Sequence, residues 1–157
     1  MKAPVSLKAV VDEIDGLSDD HVAYLNLQTG ELVTLSAEEI SAVEEDIAIA
    51  DFPEWQQALI TKARDVLASD DYLQLPTQRD IHEYAIMERF CSAIVDNHLR
   101  SILFDQIQGA GAFRRFKQTI NHYGIAEDWY QYRANSLEAI AIKWLDANGI
   151  PYQRGKA

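Results

Sequence analysis

Three cations stand together at the predicted start of a helix, in a segment that reads Gly-Ala-Gly-Ala-Phe-Arg-Arg-Phe-Lys. The backbone N–H groups of a helix N-terminus carry partial positive charge, so cations placed there require an anion opposite them. The two glycines provide no capping side chain and let a ligand approach the backbone closely. This combination is typical of an anion-binding site. The predicted ligand-binding residues are Gly109, Gly111, Arg114, Arg115, Lys117 and, from a later helix, Arg133.

A structural explanation of the same cluster stays open. Asp105, Glu127, Asp128 or the acidic first half of the chain would then supply the anion from inside the protein. The segment also lacks the Gly-Lys-Ser/Thr ending of a phosphate-binding P-loop, and no predicted strand precedes it. On the helix itself, Phe113, Phe116, Ile120 and Tyr123 are spaced as one apolar stripe, which we expect to face the core.

A second cluster, Trp129-Tyr-Gln-Tyr-Arg133, lies on the last predicted helix. An arginine beside aromatic faces is able to stack a nucleotide base. We nevertheless predict core packing for this cluster, because Trp129, Leu137 and Trp144 follow one apolar helical face. Arg133 would in that case pair with a carboxylate of the acidic half.

Motifs for catalysis and metal binding are missing from the sequence. The four histidines are scattered, the single cysteine has no partner, and neither a His-Glu-x-x-His nor a Gly-x-Ser-x-Gly pattern occurs. We therefore predict no catalytic residue, metal or cofactor. The expected function is non-enzymatic binding or regulation; the alternative is a small hydrolase for a phosphorylated substrate, with His82, His122 or a carboxylate as its base.

Charge is divided unevenly along this chain of 157 residues with net charge −11. Residues 1–76 hold 4 Lys/Arg and 16 Asp/Glu, whereas residues 77–157 hold 10 and 9. Such an acidic molecule repels phosphate backbones, which argues against nonspecific nucleic-acid binding. A local basic patch can still bind an anionic ligand at short range, and the acidic half can instead dock a basic protein partner. The chain has a single cysteine, Cys91, and its segment 1–16 is polar. Both features predict a cytoplasmic protein that has no membrane partner.

The first half predicts short helices around a small sheet. A helix containing Leu7, Val10 and Ile14 ends at Gly16, for which we expect a left-handed conformation. Alternating residues 21–27 and 31–35 flank a turn with Gly30 and predict a β-hairpin. The remaining elements of this half are a capping box over 36–39, an unassigned stretch 46–52, a helix from Pro53 with Trp55 and Leu59 on its apolar face, and a third strand over 72–76.

The second half reads as helices throughout. One helix runs from a capping pair, Thr77 and Asp80, to Val95; Asp96 or Asn97 caps the next; the motif helix ends at Gly124; and the last spans about 127–147. We predict an α+β fold in which a small antiparallel sheet packs with a predominantly helical C-terminal half. The expected organisation is one compact domain over 1–152, with an acidic half 1–76, a helical half 77–152 and a tail 153–157.

The order of these segments resembles an uncharacterised bacterial protein family, number 0158 among the unnamed families. The matching pieces extend from about Val5 to Ile150 and include Tyr24-Leu-Asn-Leu-Gln-Thr-Gly-Glu31, Met87-Glu-Arg-Phe90, the motif Gly109–Lys117, Trp129-Tyr130 with Arg133, and Lys143-Trp-Leu145. The resemblance implies a compact bacterial domain and no established activity.

Overall fold

A computed structural model describes residues 4–154. Within this part of the chain, residues 4–81 and 140–154 form one compact unit and residues 82–139 form a second. The predicted α+β class is confirmed, because helices predominate and a three-stranded antiparallel sheet accompanies them. No helix within residues 4–154 is both long and apolar enough to cross a membrane.

The sheet of the first unit is built on the predicted hairpin. Strands β2 (His21–Asn26) and β3 (Leu32–Ser36) pair antiparallel, with Val22 opposite Leu35. Gly30 in the connecting turn has φ +80°, a value that glycine adopts without strain. The expected third strand, β4 (Tyr72–Gln74), pairs with the other edge of β2, giving the order β3-β2-β4.

A separate pair of short strands brings distant parts of the first unit together. Strand β1 (Val5–Ser6) runs parallel to β5 (Tyr152–Gln153), and Val5 lies opposite Tyr152. Neither strand was predicted from the sequence. Helix α1 (Leu7–Gly16) follows β1 directly, and the Ser6 hydroxyl accepts a hydrogen bond from the Ala9 N–H at 3.1 Å.

The end of α1 differs from the prediction. Gly16 lies in the last helical turn and does not have a positive φ, so it is not the left-handed cap that we expected. The capping box of α2 (Ala37–Glu44) is confirmed: the Ser36 side chain accepts from the Glu39 N–H, and the Glu39 carboxylate accepts from the Ser36 N–H.

Helix α3 (Glu54–Ala68) packs against one face of the sheet, where Ala63 and Val66 are buried with Leu35. A single 3-10 turn (Ile49–Asp51) precedes it in the stretch that the sequence left unassigned. Nothing in residues 4–154 covers the outer face of α3. Trp55 and Leu59, which the sequence places on the apolar face of the helix, are exposed, and Gln56 and Ile60 are buried.

The helix predicted over 77–95 is interrupted at His82, whose φ is +55°. This residue separates the short α4 (Gln78–Ile81) from α5 (Glu83–Ser92). The remaining helices are α6 (Asn97–Gln106), capped by Asp96 as expected, α7 (Ala112–His122), and α8 (Ala126–Ala147). Residues 82–139 of the second unit therefore contain α5, α6, α7 and the first part of α8.

Candidate functional site

The predicted motif forms the tight connection between α6 and α7. Gly109 and Gly111 have φ values of +72° and +78°, in the left-handed region, so the chain reverses direction there without steric strain. No side chain caps α7 at Gly111. The first N–H groups of α7 consequently have no acceptor in their own helix, as the sequence predicted.

Arg115 reaches back from α7 and binds the connection that precedes it. Its Nε donates to the Gln106 carbonyl at 2.9 Å, its Nη1 to the Ala110 carbonyl at 2.6 Å, and its Nη2 to the Gln108 carbonyl. The carbonyl ends at the C-terminus of α6 carry partial negative charge, which a guanidinium stabilises. Arg115 is thus held internally by backbone dipoles, and not by the carboxylates named as alternatives.

Arg114 lies beside it with a different role. A Cβ atom built on Gly111 would be 3.1 Å from Arg115 Nη1 and 3.7 Å from Arg114 Nη2, so both guanidinium groups fold back over this glycine. Unlike Arg115, Arg114 is exposed and forms no hydrogen bond or ion pair within residues 4–154. Two like charges at one helix start leave a surplus of positive potential there.

Lys117 follows Arg114 by three residues and therefore lies on the same side of α7. It is exposed, and among the described residues it has no hydrogen-bond or ion-pair partner. The carboxylates of Asp105, Glu127 and Asp128 do not pair with either cation. Arg114 and Lys117 are therefore the two exposed cations of the motif without a partner among the described residues.

Lys117 also lines a cleft of about 320 Å³, which we call the aromatic cleft. All of its lining residues belong to the second unit; they are Glu83, Phe113, Phe116, Lys117, Trp129, Tyr130 and Arg133. Two predicted site residues, Lys117 and Arg133, thus lie in this cleft. The other four lie at the connection between α6 and α7.

The floor of the aromatic cleft is a packed group of rings. Phe116 and Trp129 are buried and meet edge to face with ring centroids 4.9 Å apart, and Phe90 contacts both from beneath at 6.0 and 5.4 Å. Such contacts fix the orientation of the rings. The prediction that Trp129 belongs to the core is therefore correct.

The rim of the aromatic cleft includes the rings of Phe113 and Tyr130. Phe113 was expected on the buried stripe of α7, but it is exposed, as is Tyr123, because only Ala112, Phe116 and Ile120 of this helix are buried. Tyr130 is also exposed. Phe113 contacts the Tyr84 ring edge to face at 6.4 Å, and the Tyr84 hydroxyl donates to the Ile107 carbonyl at 2.7 Å.

Arg133 forms an ion pair inside the second unit. Its Nε donates to Glu83 Oε1 at 2.6 Å. The partner is not a carboxylate of the acidic half, as the sequence suggested, but one of the helical half, one residue after the break at His82. Glu83 was not among the predicted site residues. The pair could not be read from the sequence, because Glu83 and Arg133 lie fifty positions apart and leave no local signal.

Nucleophiles and bases are sparse around the aromatic cleft. None of the four histidines lines it. Cys91 is buried, and burial raises the pKa of its thiol to about 11, which keeps it protonated and unreactive. Within residues 4–154, no group of three His, Cys, Asp or Glu side chains is arranged to hold a metal ion.

Comparisons with known proteins agree with the resemblance seen in the sequence. The chain is 27% identical over 132 residues to UPF0158 protein PA5073 of Pseudomonas aeruginosa, which covers 83% of this chain and 74% of the relative. No solved structure matches it. The model of the uncharacterised protein family UPF0158 matches residues 2–154. The chain therefore belongs to the uncharacterised protein family UPF0158.

Proposed function

We propose that this protein is a non-enzymatic binding or regulatory protein whose second unit binds an anionic ligand. One observation carries the proposal: the motif contains two exposed cations, Arg114 and Lys117, without partners among the described residues, while Arg115 beside them is held by three backbone carbonyls. The structural requirement of the helix connection is met by Arg115 alone. The other two cations contribute positive potential that stabilises no described carboxylate.

The charge of the second unit is consistent with this role. Residues 82–139 hold 6 Lys/Arg and 7 Asp/Glu, a net charge of −1, whereas the rest of the chain holds 8 and 18, a net charge of −10. An anion approaching α7 therefore meets local cations on a nearly neutral unit. Salt at 0.1 M ionic strength screens charges that are more than about 10 Å apart, so carboxylates farther than this from the anion repel it only weakly.

The position of Lys117 indicates the kind of anion. It stands both on the cationic side of α7 and in the aromatic cleft, so a ligand whose charge lies at Arg114 and Lys117 extends its remaining part between Phe113 and Tyr130. Aromatic faces favour planar or apolar groups. The ligand class is a small anion, such as a phosphate or carboxylate, attached to a ring.

Two probes separate these features: inorganic phosphate, which has only the charge, and phenyl phosphate, which adds a ring. Isothermal titration calorimetry at low salt should show tighter binding of phenyl phosphate. Changing Arg114→Ala and Lys117→Ala together should weaken binding of both probes at least tenfold. Tyr130→Ser should remove only the advantage of phenyl phosphate.

The matched control is Arg89→Ala with Lys143→Ala, which removes the same charge from two other exposed positions. Equal weakening by this control, or unchanged binding after the change at Arg114 and Lys117, would contradict the proposal. Release of phosphate from phenyl phosphate would favour the alternative, a small hydrolase. Glu83 is the carboxylate that lines the cleft, and Arg133 holds it at 2.6 Å.

The proposal includes a compartment and a second class of partner. We place the protein in the cytoplasm, where the single thiol Cys91 stays reduced; cell fractionation tests this. The acidic surface outside residues 82–139 supports a basic protein as the other partner.

A further inference from the structure

The outer face of α3 exposes apolar side chains that nothing in the described chain covers. Trp55 is 71% exposed, Leu59 one turn later is 46% exposed, and Ala58 lies between them on the same side of the helix. We call these three residues, with the neighbouring carboxylates of Asp51 and Glu54, the Trp55 surface. Tryptophan is highly buried on average, and a tryptophan with most of its side chain in water loses much of the burial free energy of its ring.

This exposure is not a failure of helix packing. The opposite face of α3 is complete, with Gln56, Ile60, Ala63 and Val66 all buried. Burying Trp55 would require the helix to rotate and expose Ile60. The apolar outer face is therefore a constant feature of the folded unit, and tryptophan is among the residues that contribute most to protein interfaces.

The charges around this surface have one sign. Asp51 and Glu54 are exposed and precede Trp55 by four residues and by one, and the exposed Glu44, Glu45 and Asp46 come earlier in the same stretch, which contains no cation. Residues 9–78 hold 16 Asp/Glu and two cations, Lys62 and Arg64.

Both of those cations are already in use. Lys62 lies 3.3 Å from Glu31, and its ammonium stands 5.8 Å from the centre of the Tyr72 ring. Arg64 donates to the Ile47 carbonyl at 3.0 Å and lies 3.9 Å from the Asp46 carboxylate. The carboxylates next to Trp55 therefore give this surface a negative potential that these two cations do not cancel.

We infer that the Trp55 surface docks a basic amphipathic segment of a partner protein. An apolar side chain of the segment packs on Trp55 and Leu59, and its Lys or Arg side chains face Asp51 and Glu54. The surface repels nucleic acids and a second copy of itself, because each would bring negative charge against negative charge. The inference rests on the basic partner proposed above and is independent of the anion site on α7.

The test uses a synthetic amphipathic peptide of 14 residues made of Lys and Leu, titrated into the full chain by calorimetry. Trp55→Ser with Leu59→Ser should weaken its binding at least tenfold, and so should Asp51→Asn with Glu54→Gln at low salt. The control is Val95→Ser with Tyr123→Ser, which removes exposed apolar groups from the second unit and should leave the affinity within twofold. Circular dichroism verifies that each variant is folded.

Three results would overturn the inference. They are equal binding of the peptide by the Trp55 and Leu59 variant, equal binding of a Lys and Ser peptide that has no apolar face, and self-association of the wild-type chain that the same variant abolishes. The Arg114 and Lys117 variant distinguishes the two proposals. It should bind the peptide normally, so a loss of anion binding with retained peptide binding affects only the anion site.

Discussion

Arg133 Nε and Glu83 Oε1 lie 2.6 Å apart, with 23% and 26% of their side chains exposed. This ion pair joins α8 to α5 within the second unit. The other carboxylate oxygen, Glu83 Oε2, is enclosed and has no hydrogen-bond partner among the described residues. Because a partly dehydrated carboxylate is costly without a cation, the pair with Arg133 offsets part of the cost of enclosing the Glu83 carboxylate.

Arg133→Met should lower the free energy of unfolding by about 2 kcal/mol, because it leaves the Glu83 carboxylate with its charge and without this donor. Urea unfolding followed by circular dichroism measures the change. Lys8→Met is the control, since its pair with Asp12 is 62% and 63% exposed. An exposed pair contributes about 0.5 kcal/mol or less, so equal effects of the two changes would show that the Arg133 pair is not special.

Arg115→Lys should destabilise the protein by about 1–2 kcal/mol, although the charge is kept, because an ammonium cannot reproduce the donor geometry that serves three carbonyls. Arg114→Lys should change the stability by less than about 0.5 kcal/mol, since that side chain is exposed and has no described partner. Thermal unfolding of the two variants gives the comparison. A larger loss for Arg114→Lys would reverse the roles given to the two residues.

Gly111→Ala should be more destabilising than Gly109→Ala. Both residues have positive φ, so each substitution costs about 1–2 kcal/mol in backbone strain. At Gly111 the new methyl group would also lie 3.1 Å from Arg115 Nη1, whereas nothing lies within 4 Å at Gly109. The extra loss at Gly111 should disappear in an Arg115→Ala background, which a double-mutant cycle by urea unfolding measures.

The thiol of Cys91 should resist modification by a disulfide reagent at pH 8 in the folded protein and react once urea unfolds it. Burial raises its pKa from 9.0 to about 11. The folded state therefore favours the neutral thiol, and this contribution to stability is complete below pH 9 and decreases as the pH rises towards 11. Cys91→Ala should remove that part of the pH dependence; rapid labelling of the native protein would contradict the burial.

His82→Gly should not destabilise the protein and should raise its free energy of unfolding by up to about 1 kcal/mol, because a non-glycine residue at φ +55° carries backbone strain. His82→Ala keeps that strain and is the comparison in the same urea experiment. A clear loss of stability in the glycine variant would mean that the imidazole itself stabilises the break between α4 and α5.

Elements with local signals were predictable from the sequence. The hairpin at Gly30, the capping box at Ser36 and the Asp96 cap all follow from residues a few positions apart. The pairing of Val5 with Tyr152 was not predictable, because strands of two residues carry no periodicity and their positions are far apart in sequence. The break at His82 was missed because the apolar spacing continues through it.

The candidate site was predictable in composition but not in its arrangement. The cationic segment is visible in the sequence. Which of its cations is bound by backbone carbonyls is not, because that depends on the path of the Arg115 side chain to the Gln106 carbonyl. Helical spacing places Trp55 on an apolar face, but it does not tell whether another element covers that face. Which cation is occupied and whether the Trp55 face is covered both depend on tertiary contacts, which local sequence patterns do not reveal.

The division of the chain into units has a consequence for its synthesis. Residues 82–139 are continuous, whereas the other unit combines residues 4–81 with residues 140–154. Strand β1 leaves the ribosome before the other described elements, and its partner β5 emerges only after residue 153. During translation the whole sequence of the second unit is therefore available before that of the first. The unit that begins first is completed last, and β1 stays unpaired until β5 has been synthesised.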